Sequence, residues 1–304
     1  MKTKICVFLA IIIVFSFVIF SCHTAASLVD GAAQIAGAAG IIDQNTADAI
    51  SMSARAIGSA AEEITPEQEY YIGRAVAANI LATYNIWNGN PALTAYLNNI
   101  CAAIVINSPR PEIYNGYRVA ILDSDEINAF ATSGGHIFVT RGLIDAAGSE
   151  DDLAGVIAHE IAHIQLQHSI QSIKSSRITQ AILITGTAAT GAITGMDVNE
   201  LTEVLNESVG EIVLTLVTNG YSQAQEFEAD TTAMSLMASA GYNPSGLVDM
   251  LRSLNTVQTA GAGFGKTHPT PAQRITNAEK TVDSFNVTDN SVSRQTRFFT
   301  ATRR

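Results

Sequence analysis

Cysteine is scarce in this chain of 304 residues; there are three, Cys6, Cys22 and Cys101. Cys6 lies in an apolar N-terminal run that reads as a cleaved signal, and Cys22 stands at its end. Cys101 is then left alone among Ile100, Ala102, Ala103 and Ile104, where it fits as a small buried apolar residue. A fold stapled by disulfides is excluded. Cations are also few: 17 Lys and Arg against 28 Asp and Glu give a formal charge of −11. That excludes a general nucleic-acid binder, which needs a basic face for phosphate. The glycine-rich stretch Gly261 to Gly265 has no strand before it and no helix starting directly after it, so it is not a phosphate loop. What the chain does have is apolar content, 47% of its residues, enough to bury a core unaided.

Lys2 and Lys4 precede the apolar run Ile5 to Phe20, the layout of a secretory signal (residues 1–21). The run is at the short end for a spanning helix. Ile19-Phe20-Ser21-Cys22 resembles a bacterial lipobox, which makes Cys22 a lipidation site; ordinary cleavage after Ala26 is the alternative. Residues 22–64 are rich in Ala, Gly, Ser and Ile and read as a spacer of small residues. They lack the lysines and arginines of a membrane-surface helix.

The folded domain is expected over 65–285. Thr65-Pro66 with Glu67 and Glu69 is a helix start. A turn at Asn88 to Pro91 separates that helix from a second, Ala92 to about Ile106. The period then changes. Tyr117–Leu122, Asn128–Thr132 and His136–Thr140 read as strands, the last two joined by Ser133-Gly134-Gly135 as a hairpin. A small antiparallel sheet in an α+β, mainly α fold is expected, followed by a short helix at Gly142–Ala147. Residues 178–220 read either as a mobile helical insertion over the site or as a plain core helix. The tail 286–304 carries Arg294, Arg297, Arg303 and Arg304 with Phe298 and Phe299, and is expected to fold back or stay disordered.

One stretch carries chemistry. His159-Glu160-Ile161-Ala162-His163 is His-Glu-x-x-His in an apolar segment opened by Ser149 and three acids. On a helix running from Glu150 to about Ile173, His159 and His163 share a face and can hold one metal ion. Glu160 beside them can act as general base. His168, five residues on, would face about 140° away on the same helix, as a surface or supporting histidine and not a ligand.

Further on, Glu226 and Asp230 are four apart on a helical stripe with Ala233 and Met237. Two carboxylates on a core-facing stripe call for a cation. One can ligate a metal, and the other can hold a ligand histidine by its free ring N–H. Glu228 points elsewhere, as a solvated acid.

Together these motifs resemble the HtpX and CAAX-prenyl-protease type of gluzincin zinc metallopeptidase, and its periplasmic BepA- and LoiP-like branch in particular. Asn128-Ala129-Phe130-Ala131, Thr140-Arg141-Gly142-Leu143, and His268-Pro269 with Arg274-Ile275 are similar to further segments of that family. The resemblance implies a zincin-like fold and one Zn2+ per subunit, held by His159, His163 and Glu226. It implies Glu160 as base and Asp230 as the partner of a ligand histidine. His268 would stabilise the oxyanion or cap the metal in a closed state. Arg274 would contact a substrate carbonyl or a neighbouring acid, and Asn128 and Ala129 would offer backbone groups to an extended substrate. The family's arginine three residues before the zinc glutamate is replaced by Gln223.

The function implied is an exported endopeptidase of the bacterial envelope, on its periplasmic face and lipid-anchored to the outer membrane, acting on unfolded or misfolded polypeptides. The rival is a chaperone or adaptor for outer-membrane protein assembly with little or latent proteolysis, in contact with the assembly machinery. A purely structural zinc site is disfavoured by Glu160, since such a site has no use for a base.

Overall fold

The computed structural model describes residues 22–41, 64–172, 220–257, 268, 271–285 and 290–302, with single positions between 43 and 54 and at 287. The signal, the stretch 178–219, the segment Gly261–Lys266 and Arg303–Arg304 lie outside the described residues. The chain divides into two compact units, Met1–Ile64 with Gln171–Ile212, and Thr65–Ile170 with Val213–Arg304.

In the first unit, helix α1 (Cys22–Ala38) is built largely of small residues. Gln34 donates to the Ser51 hydroxyl at 2.7 Å, and Ala33, Ala47 and Ala54 are buried. Leu28 and Ile35 are exposed. No helix among the described residues is long and apolar enough to cross a membrane.

The second unit opens with α2 (Pro66–Thr83). Thr65 accepts from the Gln68 N–H while the Gln68 side chain accepts from the Thr65 N–H, a reciprocal cap with Pro66 in the first turn. Helix α3 (Pro91–Ile106) is capped in turn by Asn90. Three strands follow, β1 (Arg118–Leu122), β2 (Ala129–Ala131) and β3 (His136–Thr140), in the order β1-β3-β2. Alternation sorts their side chains. Val119, Ile121, Ile137 and Val139 join the main core with Leu97, Ile100 and Ile104 of α3. Leu122, Phe130 and Phe138 meet Val76, Ala77 and Ile80 of α2 on the other face. Gly73 lets α2 approach the hairpin turn, because a Cβ there would stand 2.0 Å from the Gly134 nitrogen.

The sheet corrects one expectation. The β2/β3 hairpin is antiparallel, but β1 pairs with β3 in parallel. The chain crosses from β1 to the far edge before returning as β3 between the two, so β1 and β3 run the same way and the sheet is mixed. The outer side of β1 is covered by residues 85–87, with Trp87 N–H bonding the Ile121 carbonyl at 2.7 Å. β2 forms the other edge. The α+β, mainly α class stands.

Short helix α4 (Arg141–Ala146) leads to α5 (Glu150–Gln165), the central helix, buried on nearly all sides. Ser149 accepts from the Asp152 N–H, and the Asp152 carboxylate reaches back to the Gly148 N–H at 2.8 Å. Helices α6 (Gln223–Ser239), α7 (Ser245–Val257) and α3 pack against α5. At Gly155 a Cβ would lie 2.8 Å from the Leu247 backbone, so α5 and α7 touch at that glycine. After α8 (Pro271–Ala278) and a short turn, α9 (Ser291–Thr302) lies on the N-terminal end of α5. Arg294 pairs with Asp151 at 2.9 Å, Arg297 pairs with Glu150, and Phe298 is buried. Cys101 is buried as expected, and burial pushes its thiol up to about 12.

Helix α5 ends at Gln165, not near Ile173. Leu166 and Gln167 form a turn in which Gln167 takes φ 55°, and the helical path resumes at His168. The Gln167 side chain bonds Glu69 at 3.0 Å, and Arg110 pairs with the same carboxylate. That turn cancels the rotation which would have carried His168 away from the site.

Candidate metal centre

Two turns of α5 present His159 and His163 on one face, with their Nε2 atoms 3.0 Å apart. Helix α6 lays Glu226 across them. Its Oε2 is 3.4 Å from His159 Nε2, and its Oε1 is 3.5 Å from His163 Nε2. His268, just ahead of α8, brings its Nδ1 to 2.9 Å from Glu226 Oε1. Ligand atoms of these four residues all lie within 4.8 Å of one another, and all four residues are buried. Asp230, one turn beyond Glu226, meets His159 Nδ1 at 3.0 Å. This leaves Nε2 of His159 for the centre.

Arg274 of α8 is fully buried. It donates Nε and NH2 to the two oxygens of Asp230, at 2.8 and 2.6 Å, and stands 3.1 Å from Glu226. Of its two expected contacts, the neighbouring acid is the one formed. A substrate carbonyl has no access to it.

The electrostatics separate the carboxylates. Burial pushes Glu226 and Asp230 upward, but His268 and Arg274 outweigh it at Glu226 and Arg274 outweighs it at Asp230, so both stay below the usual carboxylate range. At Glu160 burial wins and the pKa rises. Both Glu160 oxygens are buried with no hydrogen-bond partner among the described residues, where the nearest ring nitrogen is His268 Nε2 at 3.6 Å. His159 loses charge to burial but is drawn up to about 9 by Asp230 and Glu226. His163 is held well below its ordinary value by burial and by His159. A metal cation and a proton therefore compete for the same pocket of negative charge.

The residues fit zinc. Three imidazoles and a carboxylate are a nitrogen and oxygen donor set of the kind that zinc takes, whereas calcium and magnesium ask for oxygen ligands. Glu160 stands beside the cluster with its acceptor atoms uncommitted.

A cleft over the cluster is lined by Val76, Ile80, Ala131, Glu160, Tyr221 and His268 among others, with the β2 edge along it. Here the expectation for Asn128 fails. Its N–H bonds Thr140 Oγ1 at 3.0 Å and its carbonyl accepts from the Thr140 N–H at 3.1 Å, so its backbone groups turn into the sheet. Its side chain in turn occupies the Ala129 N–H at 2.9 Å. Antiparallel alternation instead turns the Ala129 carbonyl and both backbone groups of Ala131 outward.

Of two further residues near the centre, Tyr221 was not assigned a role from the sequence, and His168 was expected on the surface or in support of a ligand. The Tyr221 ring stacks on His163, with centroids 4.0 Å apart and planes 15° apart. Its signal, an aromatic directly before the Ser222 cap, is too common to single it out. His168 is buried and sits 2.8 Å from His163, at the inner and not the surface one of its two expected places. Glu228 is exposed as expected, though it meets His168 at 3.3 Å. Gln223 bonds Gln273 of α8.

Residues 91–282 match the model of peptidase family M48. The chain belongs to this family. Among M48-related proteins it is 25% identical over 230 residues to the β-barrel assembly-enhancing protease of Escherichia coli, covering 72% of this chain and 45% of that one. It is 30% identical over 172 residues to a protease HtpX homolog of Salinibacter ruber, covering 55% and 58%. To the metalloprotease LoiP of Escherichia coli it is 28% identical over 150 residues, covering 49% and 56%. The chain thus spans about half the length of the curated relatives it matches. M48 peptidases are zinc-dependent, in agreement with the donor set described above.

Proposed function

We propose that this protein is a zinc endopeptidase that hydrolyses peptide bonds of unfolded or misfolded envelope proteins, with His159, His163 and Glu226 as metal ligands and Glu160 as general base. The observation that carries the proposal is the buried ligand cluster with the uncommitted Glu160 carboxylate beside it. Zinc, when bound, polarises the scissile carbonyl and acidifies the attacking water. Glu160 takes the proton of that water and delivers it to the leaving amine; its pKa, raised by burial, suits a group that must both accept and release a proton. Asp230 orients His159, and Arg274 holds Asp230 and Glu226 ionised. An extended substrate bonding to Ala131 along the β2 edge would lie beside Glu160. His268, close to Glu160, can donate to the developing oxyanion, an effect worth about 3 kcal/mol in peptidases.

The same His268 favours a second reading, a chaperone or adaptor with latent proteolysis. Its imidazole belongs to the ligand cluster, where it can take the position that a catalytic site keeps open for water and substrate. The name of one relative, a β-barrel assembly-enhancing protease, supports outer-membrane clients in either case. The charge and apolar pattern of residues 1–21 support export, and Cys22 supports a lipid anchor on the periplasmic side of the outer membrane.

The test is cleavage of unfolded casein by the purified protein of measured zinc content, beside Glu160→Gln and His268→Ala. Cleavage by the parent and none by zinc-loaded Glu160→Gln is the expected result. Zinc uptake with cleavage only after His268→Ala establishes latency. Zinc uptake with no cleavage by any form overturns the peptidase reading.

A further inference from the structure

The two histidines on α5 are held from behind in different ways. His159 Nδ1 meets the Asp230 carboxylate directly at 3.0 Å. His163 Nδ1 meets another imidazole, His168 Nδ1, at 2.8 Å. His168 Nε2 then meets Glu228 Oε2 at 3.3 Å. We propose that His168 and Glu228 are positioning residues for the second metal ligand, forming a relay of hydrogen bonds that fixes the tautomer and orientation of His163.

The direction of each bond follows from the chemistry of imidazole. His163 turns Nε2 toward the cluster, where a ligand nitrogen carries no hydrogen. Its single proton is then on Nδ1, which donates to His168 Nδ1. His168, accepting there, carries its own proton on Nε2 and donates it to Glu228. A carboxylate therefore supports each ligand histidine, one directly and one through an intervening ring.

Local structure is arranged for this contact. On a continuous helix His168 would point away from His163. The turn at Leu166-Gln167, with its positive φ and the Gln167–Glu69 bond, brings the ring back and buries it. The two supports differ in surroundings. Asp230 is sealed and gripped by Arg274, whereas Glu228 is 57% exposed. Solvent thus reaches the end of the His163 relay but not that of His159.

The inference rests on the reading of His163 as a metal ligand. It is tested on the full chain by measuring zinc affinity in competition with a chromogenic chelator, with circular dichroism of the metal-free forms as the fold control. His168→Ala is expected to weaken zinc binding by about 10-fold to 100-fold. His168→Gln, whose amide oxygen accepts and whose nitrogen donates, recovers much of that loss. Glu228→Gln, at an exposed position that leaves the fold intact, gives a smaller loss. That loss disappears in the His168→Ala background, because the relay is already cut. In zinc-loaded protein the Nδ1 proton of His163 gives a protected resonance that exchanges faster in His168→Ala.

Affinity of His168→Ala within about twofold of the parent, well short of the usual effect of such supports, overturns the inference. So does a Glu228→Gln loss that adds in full to that of His168→Ala. A parent that takes up no zinc removes the metal-ligand reading and this inference with it. A zinc-binding parent with unaffected variants removes this inference alone.

Discussion

Glu160 and Glu226 are the same residue type, both fully buried and both within reach of His268, yet their surroundings push them in opposite directions. Arg274 and His268 grip Glu226 and keep it ionised, the state a metal ligand requires. Among the described residues Glu160 has no hydrogen-bond partner, and burial raises its pKa, which suits the base proposed for it. The roles proposed at this centre thus follow from what lies around each carboxylate, not from the carboxylate itself.

The largest expected effect treats the two alike. Glu160→Gln should keep zinc and lose about 10²-fold to 10⁴-fold in cleavage rate, the usual worth of a positioned base. Glu226→Gln should lose both zinc and cleavage. Metal analysis beside a casein assay separates them, and a Glu226→Gln protein with full zinc content would break the contrast.

Next in size is the grip itself. Arg274→Ala leaves Asp230 and Glu226 as uncompensated buried charges and should cost about 3–5 kcal/mol of stability. Chemical denaturation measures this, and a loss under about 1 kcal/mol, the scale of an exposed pair, would show that Arg274 does not hold the acids.

The contrast sharpens when the metal-free protein is titrated. A raised folded pKa gives stability that is fully present below the unfolded value, near 4.3 for a glutamate, and lost as pH rises through the folded one. At pH 7 Glu160 therefore works against the fold, and Glu160→Gln should raise the melting temperature, with the gain fading toward pH 4. Glu226 has the opposite sign. Its contribution is present above the unfolded value and lost as pH falls toward its depressed one, so Glu226→Gln should lower the melting temperature at pH 7. Thermal melts in chelator across pH check both, and shifts of equal sign would refute the electrostatic account.

Packing gives a smaller effect. Gly155→Ala pushes a methyl into the Leu247 backbone and should cost about 1–3 kcal/mol, without altering the separation of the two glutamates. Smallest is Gln223→Arg, which places a cation one helical turn before Glu226. The side chain is exposed, so stability should move by no more than about 0.5 kcal/mol.

Much of this centre was legible in the sequence because helical spacing converts directly into shared faces. His159 with His163, and Glu226 with Asp230, needed only the four-residue interval. Caps were equally local, as at Thr65 and Ser149. What escaped depends on where a regular path stops. The place of His168 turned on one residue with positive φ, Gln167, which no periodicity announces. Parallel pairing of β1 with β3 depends on the route of the chain between them. Asn128 resembled a substrate contact because its neighbours form the edge strand, but which backbone groups point outward depends on register, and a shift of one residue reverses them. Arg274 could be paired with an acid or a substrate until the fold showed which lay nearer.

The clasp formed by α9 bears on the order in which the chain is made. Glu150, at the start of the central helix, is buried with Tyr96 at 3.0 Å and Arg297 as hydrogen-bonding partners, and Asp151 is met by Arg294. Both arginines come from α9, 143 and 147 residues further along the chain, so the helix bearing His159 and His163 receives these balancing charges only after residues 291–302 have been made and folded onto it. A nascent chain, or one clipped after residue 290, holds these acids without their cations. Docking of α9 thereby becomes a condition for a firmly seated centre, one that a copy cut short before residue 291 does not meet.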